Sequence, residues 1–442
     1  MMLALRIASH SHVAVARRVV DSSDVPEKRT RFRRSKTKQP CAARRKILSA
    51  RDAWNGSATQ RASRITRMSF IVGLFTAVLS EGGVQRAGRH VAAVAAKFAA
   101  DRGMAVRFLS LSDLRGLHAL RVGSLGYSVS GYAGNKAEFV LAALRAAGRK
   151  PVLAIALHPH LAPIVWAMNQ CGGKMRSIVF THGVEVWQPL GWPRGAALRR
   201  ADMVIGPSAD TVRHLISEQG ILPGKAQLLP WGLDPEFEVR AASSVPLSPP
   251  PGFPETGRIV LTVGRWNSAE QYKGADTLIA ALPRVLKTAP DTFLVLVGDG
   301  DDRPRLEQLA RNLGVSERAC FLHGLTPDQL FACYASCEIF ALPSRGEGFG
   351  LVFLEAMACA KPVIGGAHGG IPDIIEDGVT GLLVPHGDAQ RLAQALESLL
   401  GNPGRAKEMG ARGKDRLAKT FSFEQFQSRL SRILNNAFVQ LE

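Results

Sequence analysis

Short apolar runs recur along this chain, each closing on small or polar residues and each followed by a stretch with helical spacing. SFIVGLFTAVLS (69–80), AVRFLSL (105–111), PVLAIALH (151–158), RSIVFTHG (176–183) and ADMVIGPS (201–208) form one series. RIVLTVGRW (258–266), TFLVLVGDG (292–300) and ACFLHGL (319–325) form another. Runs this short and continuously apolar read as strands buried on both faces, and the intervening helices read as crossovers. The alternation dictates an α/β chain with two parallel, doubly wound sheets.

Between the two series, residues 241–256 (AASSVPLSPPPGFPET) are rich in proline and serine and lack periodicity, which is linker composition. The expected organisation is therefore a first domain over 68–240, a linker over 241–256 and a second domain over 257–421. A terminal helix over 422–442 follows, read from the apolar spacing of SFEQFQSRLSRILNNAFVQ.

Residues 1–67 are different in kind. They hold 17 lysines and arginines against 4 acidic residues, so this segment supplies +13 of the net +19 of the 442-residue chain. Polar, basic and without apolar period, it is expected to form a tail that cannot order itself. A nucleic-acid or anionic-lipid arm, an organelle transit peptide, and translated sequence ahead of a start at Met68 are the three readings; the last is the expectation. Nucleic acid is not the expected partner. The apolar run after the tail is far short of the roughly 20 residues of a membrane-spanning helix. Cys41, Cys171, Cys320, Cys333, Cys337 and Cys359 are scattered, with no paired metal-ligand spacing, and read as reduced thiols of a cytoplasmic protein.

The chemistry concentrates in Pro343–Asp388, PSRGEGFGLVFLEAMACAKPVIGGAHGGIPDIIEDGVTGLLVPHGD. Glu347 and Glu355 stand eight positions apart around Gly348, Phe349 and Gly350, and LVFLEAMAC (351–359) has helical spacing. A glycine loop feeding a helix N-terminus favours an anion, because unpaired amides and the helix dipole converge there. A phosphate-bearing ligand fits, with Glu347 on the loop and Glu355 within the helix, where it can accept from hydroxyls such as those of a ribose. The plain alternative is an acidic turn and one solvated helix glutamate.

This segment resembles the signature region of retaining GT-B glycosyltransferases of the family 4 type. Pro343, Ser344, Glu347, Gly348, Phe349, Gly350, Glu355, Ala356, Met357, Pro362, Val363, Gly370, Gly378, Gly381 and Pro385 carry the likeness, which extends over roughly residues 69–440. Ala360 departs from it: the family has glycine there, and alanine in a left-handed cap is strained. Trp231 departs too, standing where a smaller polar residue is common.

The resemblance implies two Rossmann-like domains facing a cleft, with the last helix crossing back to the first domain. It implies that Gly82 and Gly83 lie near the donor diphosphate and acceptor, that His182 of THGVE lies near the reacting sugar, and that Arg265 and Lys273 are a basic pair on the diphosphate. The amides of Gly348, Phe349, Gly350 and Leu351 would hold the same diphosphate, Glu355 the ribose and Glu347 the donor sugar hydroxyls. His182 would donate to a sugar hydroxyl or the leaving phosphate, and no divalent metal or other cofactor is expected.

The implied activity is a retaining hexosyl transfer from a nucleotide-diphosphate sugar to a hydroxyl of a glycan or lipid-linked acceptor, in bacterial envelope polysaccharide or glycolipid synthesis. THGVEVWQPLGW with Arg194, Arg199 and Arg200 suggests an aromatic and basic acceptor face, suited to peripheral contact with an anionic membrane on its cytoplasmic side. A charged connecting helix is the plain reading of the same residues. The rival functions are a non-catalytic GT-B binding protein and an epimerase or phosphorylase of the same fold.

Overall fold

The computed structural model describes residues 69–439 except 174 and 244–246. The basic tail, Cys41 and the expected start at Met68 lie outside the described residues.

The first half is an eight-stranded sheet in the order β3-β4-β2-β1-β5-β6-β7-β8. Its strands are β1 (Phe70–Phe75), β2 (Ala105–Ser110), β3 (Gly116–Val122), β4 (Leu125–Gly131), β5 (Leu153–Ala156), β6 (Arg176–Phe180), β7 (Met203–Gly206) and β8 (Ala226–Leu228). The second half is a six-stranded sheet in the order β11-β10-β9-β12-β13-β14. It comprises β9 (Arg258–Val263), β10 (Thr292–Val297), β11 (Ala319–Leu322), β12 (Ile339–Leu342), β13 (Val363–Gly366) and β14 (Gly381–Val384). The pairs in the second sheet are all parallel. In each sheet the order reverses beside the first strand, β1 or β9, and open α/β sheets bind ligands at such points.

One strand expectation is corrected, and one hairpin was not anticipated. The run 69–80 is not one strand: β1 stops at Phe75, and Val78 is fully buried in a loop instead. The Asp113 carboxylate accepts from the amides of Val78 (2.8 Å) and Leu79 (3.1 Å), so buried backbone is satisfied without a ladder. Hydropathy alone cannot separate the two cases. The β3–β4 hairpin, antiparallel at the sheet edge, carries no continuous apolar run because one face is open to solvent.

Helix Pro235–Ala242 takes the first two residues of the expected linker, started by Pro235 and capped by Asp234, whose carboxylate accepts from the Glu236 amide at 2.9 Å. Its Phe237 packs edge-on against Phe331 (5.2 Å between centroids) of the second half. The last helix, Phe423–Val439, crosses back as expected and packs on helix Gly83–Ala100, where Phe423 meets the buried His90 ring edge-on at 5.2 Å.

Candidate active site

The loop after β12 and the loops after β1 and β6 converge from opposite halves. Gly350 adopts φ +110° to start the eight-residue helix Leu351–Ala358. Facing it, Gly82 and Gly83 open helix Gly83–Ala100, and a Cβ on Gly83 would sit 3.8 Å from the Leu351 side chain.

Gly348 and the His182–Gly183 peptide pack main chain against main chain. A Cβ on Gly348 would come within 1.9 Å of the His182 carbonyl oxygen, and one on Gly183 within 2.2 Å of the Gly348 Cα. Neither position tolerates a side chain in this arrangement. The two main chains therefore touch at the point where Glu347 leaves its loop.

Glu347 is held by Lys273, whose Nζ donates to Oε1 at 2.9 Å; the two side chains are 17% and 13% exposed. Burial pulls the Lys273 ammonium down, but attraction to Glu347 and their hydrogen bond outweigh it and raise its pKa. Glu270 links the two cations, lying 3.7 Å from Lys273 Nζ and 2.7 Å from Arg265, whose side chain is 72% exposed. Arg265 thus stands at the rim with its charge in solvent, and Lys273 stands inside.

Glu355 is not the solvated helix glutamate of the plain reading. Its side chain is 3% exposed, one oxygen paired with Arg86 and the other accepting from the Tyr334 hydroxyl at 2.6 Å. Burial, with Glu355 alongside, pushes the Tyr334 phenol well up, so that it donates. Each carboxylate oxygen still has a lone pair for a further donor.

His182, after β6, is turned by its neighbours. Its Nε2 bonds the Leu157 carbonyl at 2.7 Å, which can only accept, so Nε2 carries the proton. Nδ1 is the ring nitrogen left for a ligand: it accepts from a hydroxyl when the ring is neutral and donates, as expected, when the ring is protonated. Trp231 lies buried against it, stacked at 5.6 Å and 21°.

His158 stacks on the other side at 5.9 Å, its Nδ1 accepting from the His160 amide. Burial and the nearby His182, His160 and Arg194 push His158 down to about 3. Arg194 donates to His160 Nε2 at 2.8 Å, and Trp192 is exposed beyond it. Arg199 is exposed, and the exposed Arg200 stacks its guanidinium on Trp166 at 4.7 Å. Of the aromatic and basic residues expected to face an acceptor, Trp192, Arg199 and Arg200 are exposed, whereas Trp187 and Arg194 are half-buried.

Phe349 was expected to offer a ligand its amide, and its side chain is taken up by packing. Its ring is buried edge-on against Phe421 at 5.8 Å, which leaves only its main chain for a ligand. Sequence reasoning missed Arg86, Tyr334 and Glu270. Arg86 lies one turn beyond the Gly-Gly pair, the single signal that could have marked it. Among the described residues, no group of three or more His, Cys, Asp and Glu side chains is placed to hold a metal ion.

Comparison with known proteins bears on this geometry. Residues 247–416 match the family described as "Glycosyl transferases group 1", and residues 87–237 match "Glycosyltransferase Family 4". The chain is 34% identical over 283 residues to the GDP-mannose-dependent alpha-(1-6)-phosphatidylinositol monomannoside mannosyltransferase of Mycolicibacterium smegmatis, an alignment covering 60% of this chain and 71% of the relative.

The chain belongs to the group 1 glycosyltransferases. This glycosyltransferase is also 33% identical over 251 residues to a D-inositol 3-phosphate glycosyltransferase of Corynebacterium aurimucosum, covering 54% of this chain and 57% of that one. In fold it resembles sucrose-phosphate synthase from Thermosynechococcus elongatus, with a TM-score of 0.66 at 24% identity over 84% of this chain and 99% of the other. Anabaena HepE, solved with UDP, gives a TM-score of 0.65 at 19% identity over 84% of this chain and 100% of the other. Both sheets of the glycosyltransferase therefore follow the GT-B arrangement, and the enzyme uses a nucleotide-sugar donor.

Proposed function

We propose that this glycosyltransferase moves a hexosyl group, with GDP-mannose as the first candidate donor, to a hydroxyl of a lipid-linked or glycan acceptor with retention at the anomeric carbon. The observation that carries the reading is the Lys273–Glu347 pair at the Gly348 contact, where an ammonium and a carboxylate meet beside two glycine loops from opposite halves.

In this reading the diphosphate takes Lys273 and Arg265 as partners, together with the amides opening helix Leu351–Ala358. Glu347, released from Lys273, accepts from donor sugar hydroxyls, and Glu355 accepts from the ribose. The bond from C1 to the diphosphate oxygen breaks as the acceptor oxygen bonds C1 on the same face. The acceptor proton passes to the departing phosphate. Lys273 and Arg265 neutralise the charge that develops there, a role worth about a hundred- to a thousandfold in rate for one well-placed donor. No step calls for a divalent ion.

GDP-mannose is put first because several relatives are named as GDP-mannose-dependent mannosyltransferases of phosphatidylinositol mannosides. The same names support a glycolipid acceptor. Exposed Trp192 beside Arg194, Arg199 and Arg200 suits an acceptor presented at an anionic lipid surface on the cytoplasmic face, and among the described residues no helix is long and apolar enough to cross a membrane. Envelope glycolipid or polysaccharide synthesis is the corresponding role.

The test is to incubate the full chain with GDP-mannose and phosphatidylinositol monomannoside in mixed micelles containing EDTA, and to determine the product's anomeric configuration by NMR. An α-linked mannosyl product is expected. A β-linked product would overturn retention, and transfer only on adding a divalent ion would overturn the metal-free chemistry.

A further inference from the structure

Arg86 and Glu355 are 269 positions apart and belong to opposite halves of the molecule. Arg86 sits on the first turn of helix Gly83–Ala100, where its amide donates to the Gly82 carbonyl at 2.9 Å. Its guanidinium crosses the cleft to one oxygen of Glu355, while Tyr334, from the second half, donates to the other oxygen. Glu355 raises the Arg86 guanidinium above its ordinary range, so the cation is permanent. A carboxylate buried to this degree has its direction set by its partners. With one lone pair of each oxygen occupied, the two that remain point away from Arg86 and Tyr334.

We propose that Arg86 is a positioning residue for the donor nucleotide: together with Tyr334 it aims the free lone pairs of Glu355 at the ribose hydroxyls, and it does so from the opposite half. This inference rests on the reading of Glu355 as the ribose acceptor. The grip on the ribose then forms only when the halves are in contact, because any opening of the cleft removes Arg86 while leaving Tyr334. Arg86 itself touches neither the sugar nor the phosphates.

The discriminating probe is the ribose. Calorimetric titration of the full chain with GDP and with 2′,3′-dideoxy-GDP, and with the corresponding uridine pair, measures the preference for ribose hydroxyls separately from diphosphate affinity. The wild type is expected to favour the ribonucleotide of the tighter-binding base by about tenfold or more. Arg86→Ala is expected to reduce that preference to about twofold while binding the dideoxy nucleotide as the wild type does. Arg86→Gln, which keeps the reach without the charge, should also lose most of it and serves if the alanine variant fails to fold.

An Arg86→Gln or folded Arg86→Ala protein with the wild-type preference would overturn the proposal, as would equal weakening of both nucleotides, which would place Arg86 on the diphosphate or in the fold. A ribose preference that survives Glu355→Gln, or no binding of either base, would overturn the ribose-acceptor reading and this inference together. Loss in Glu355→Gln with retention in Arg86→Ala would overturn the role of Arg86 alone.

Discussion

Lys273 keeps a raised pKa in a half-closed site because Glu347 stands 2.9 Å away, and that pairing makes a sharp expectation at the level of single residues. Lys273→Ala and Glu347→Ala should each lower kcat by about a hundredfold or more. Because both positions lie outside the sheets and the long helices, melting temperatures should stay within a few degrees. Steady-state transfer rates beside thermal scans check this, and wild-type kcat in either variant would remove the role. These two residues were legible in the sequence because each lies beside a glycine in a recognisable loop. Arg86 was not, since its importance depends on a carboxylate that only the folded chain brings across the cleft.

His158 makes a different residue-scale prediction. Unfolded, it binds a proton below its ordinary 6.5; folded, it does so only near 3. Between those values the unfolded chain holds more protons, so acidification costs stability, by up to about 1.4 kcal/mol per pH unit from this group. Urea unfolding at pH 7, 6 and 5 should show the decline, and His158→Gln should make it shallower.

At the scale of elements, the helix Leu351–Ala358 shows what a departure from the family pattern means physically. Ala360, just past its end, does adopt a left-handed φ of +53°. Such a conformation strains a residue with a Cβ by about 1–2 kcal/mol, while glycine gives back about 0.5–1 kcal/mol through unfolded-chain entropy. Ala360→Gly should therefore raise stability by up to about 1 kcal/mol, a gain of a few degrees at most in a thermal scan; a lower melting temperature would contradict the cap strain. Strands buried on both faces were legible because their residues are continuously apolar. The β3–β4 hairpin was not, because alternating exposure mixes polar and apolar residues, and the end of β1 was not, because Asp113 lets a buried loop imitate a strand.

At the scale of the molecule, the candidate site draws on both halves. Lys273, Glu347 and Glu355 come from the six-stranded half, whereas Gly82, Gly83, Arg86 and His182 come from the eight-stranded half. The entry to the terminal helix ties the two together: the Leu233 amide donates to the Phe421 carbonyl at 2.8 Å, and the Phe423 amide to the Glu238 carboxylate at 2.9 Å. Two-domain organisation could be read from the repeated alternation on either side of a proline-rich segment. Which side chains meet across the cleft could not, because that depends on how the sheets face each other.

The proposed function requires that a nucleoside diphosphate is held between the halves by Lys273 without a metal ion. Titration of the full chain with GDP in EDTA, wild type against Lys273→Ala, addresses it most directly. The expected result is saturable binding by the wild type and at least about tenfold weaker binding by the variant, as for loss of one charged hydrogen bond. Equal affinity in the two proteins, or binding by the wild type only after a divalent ion is restored, would contradict it.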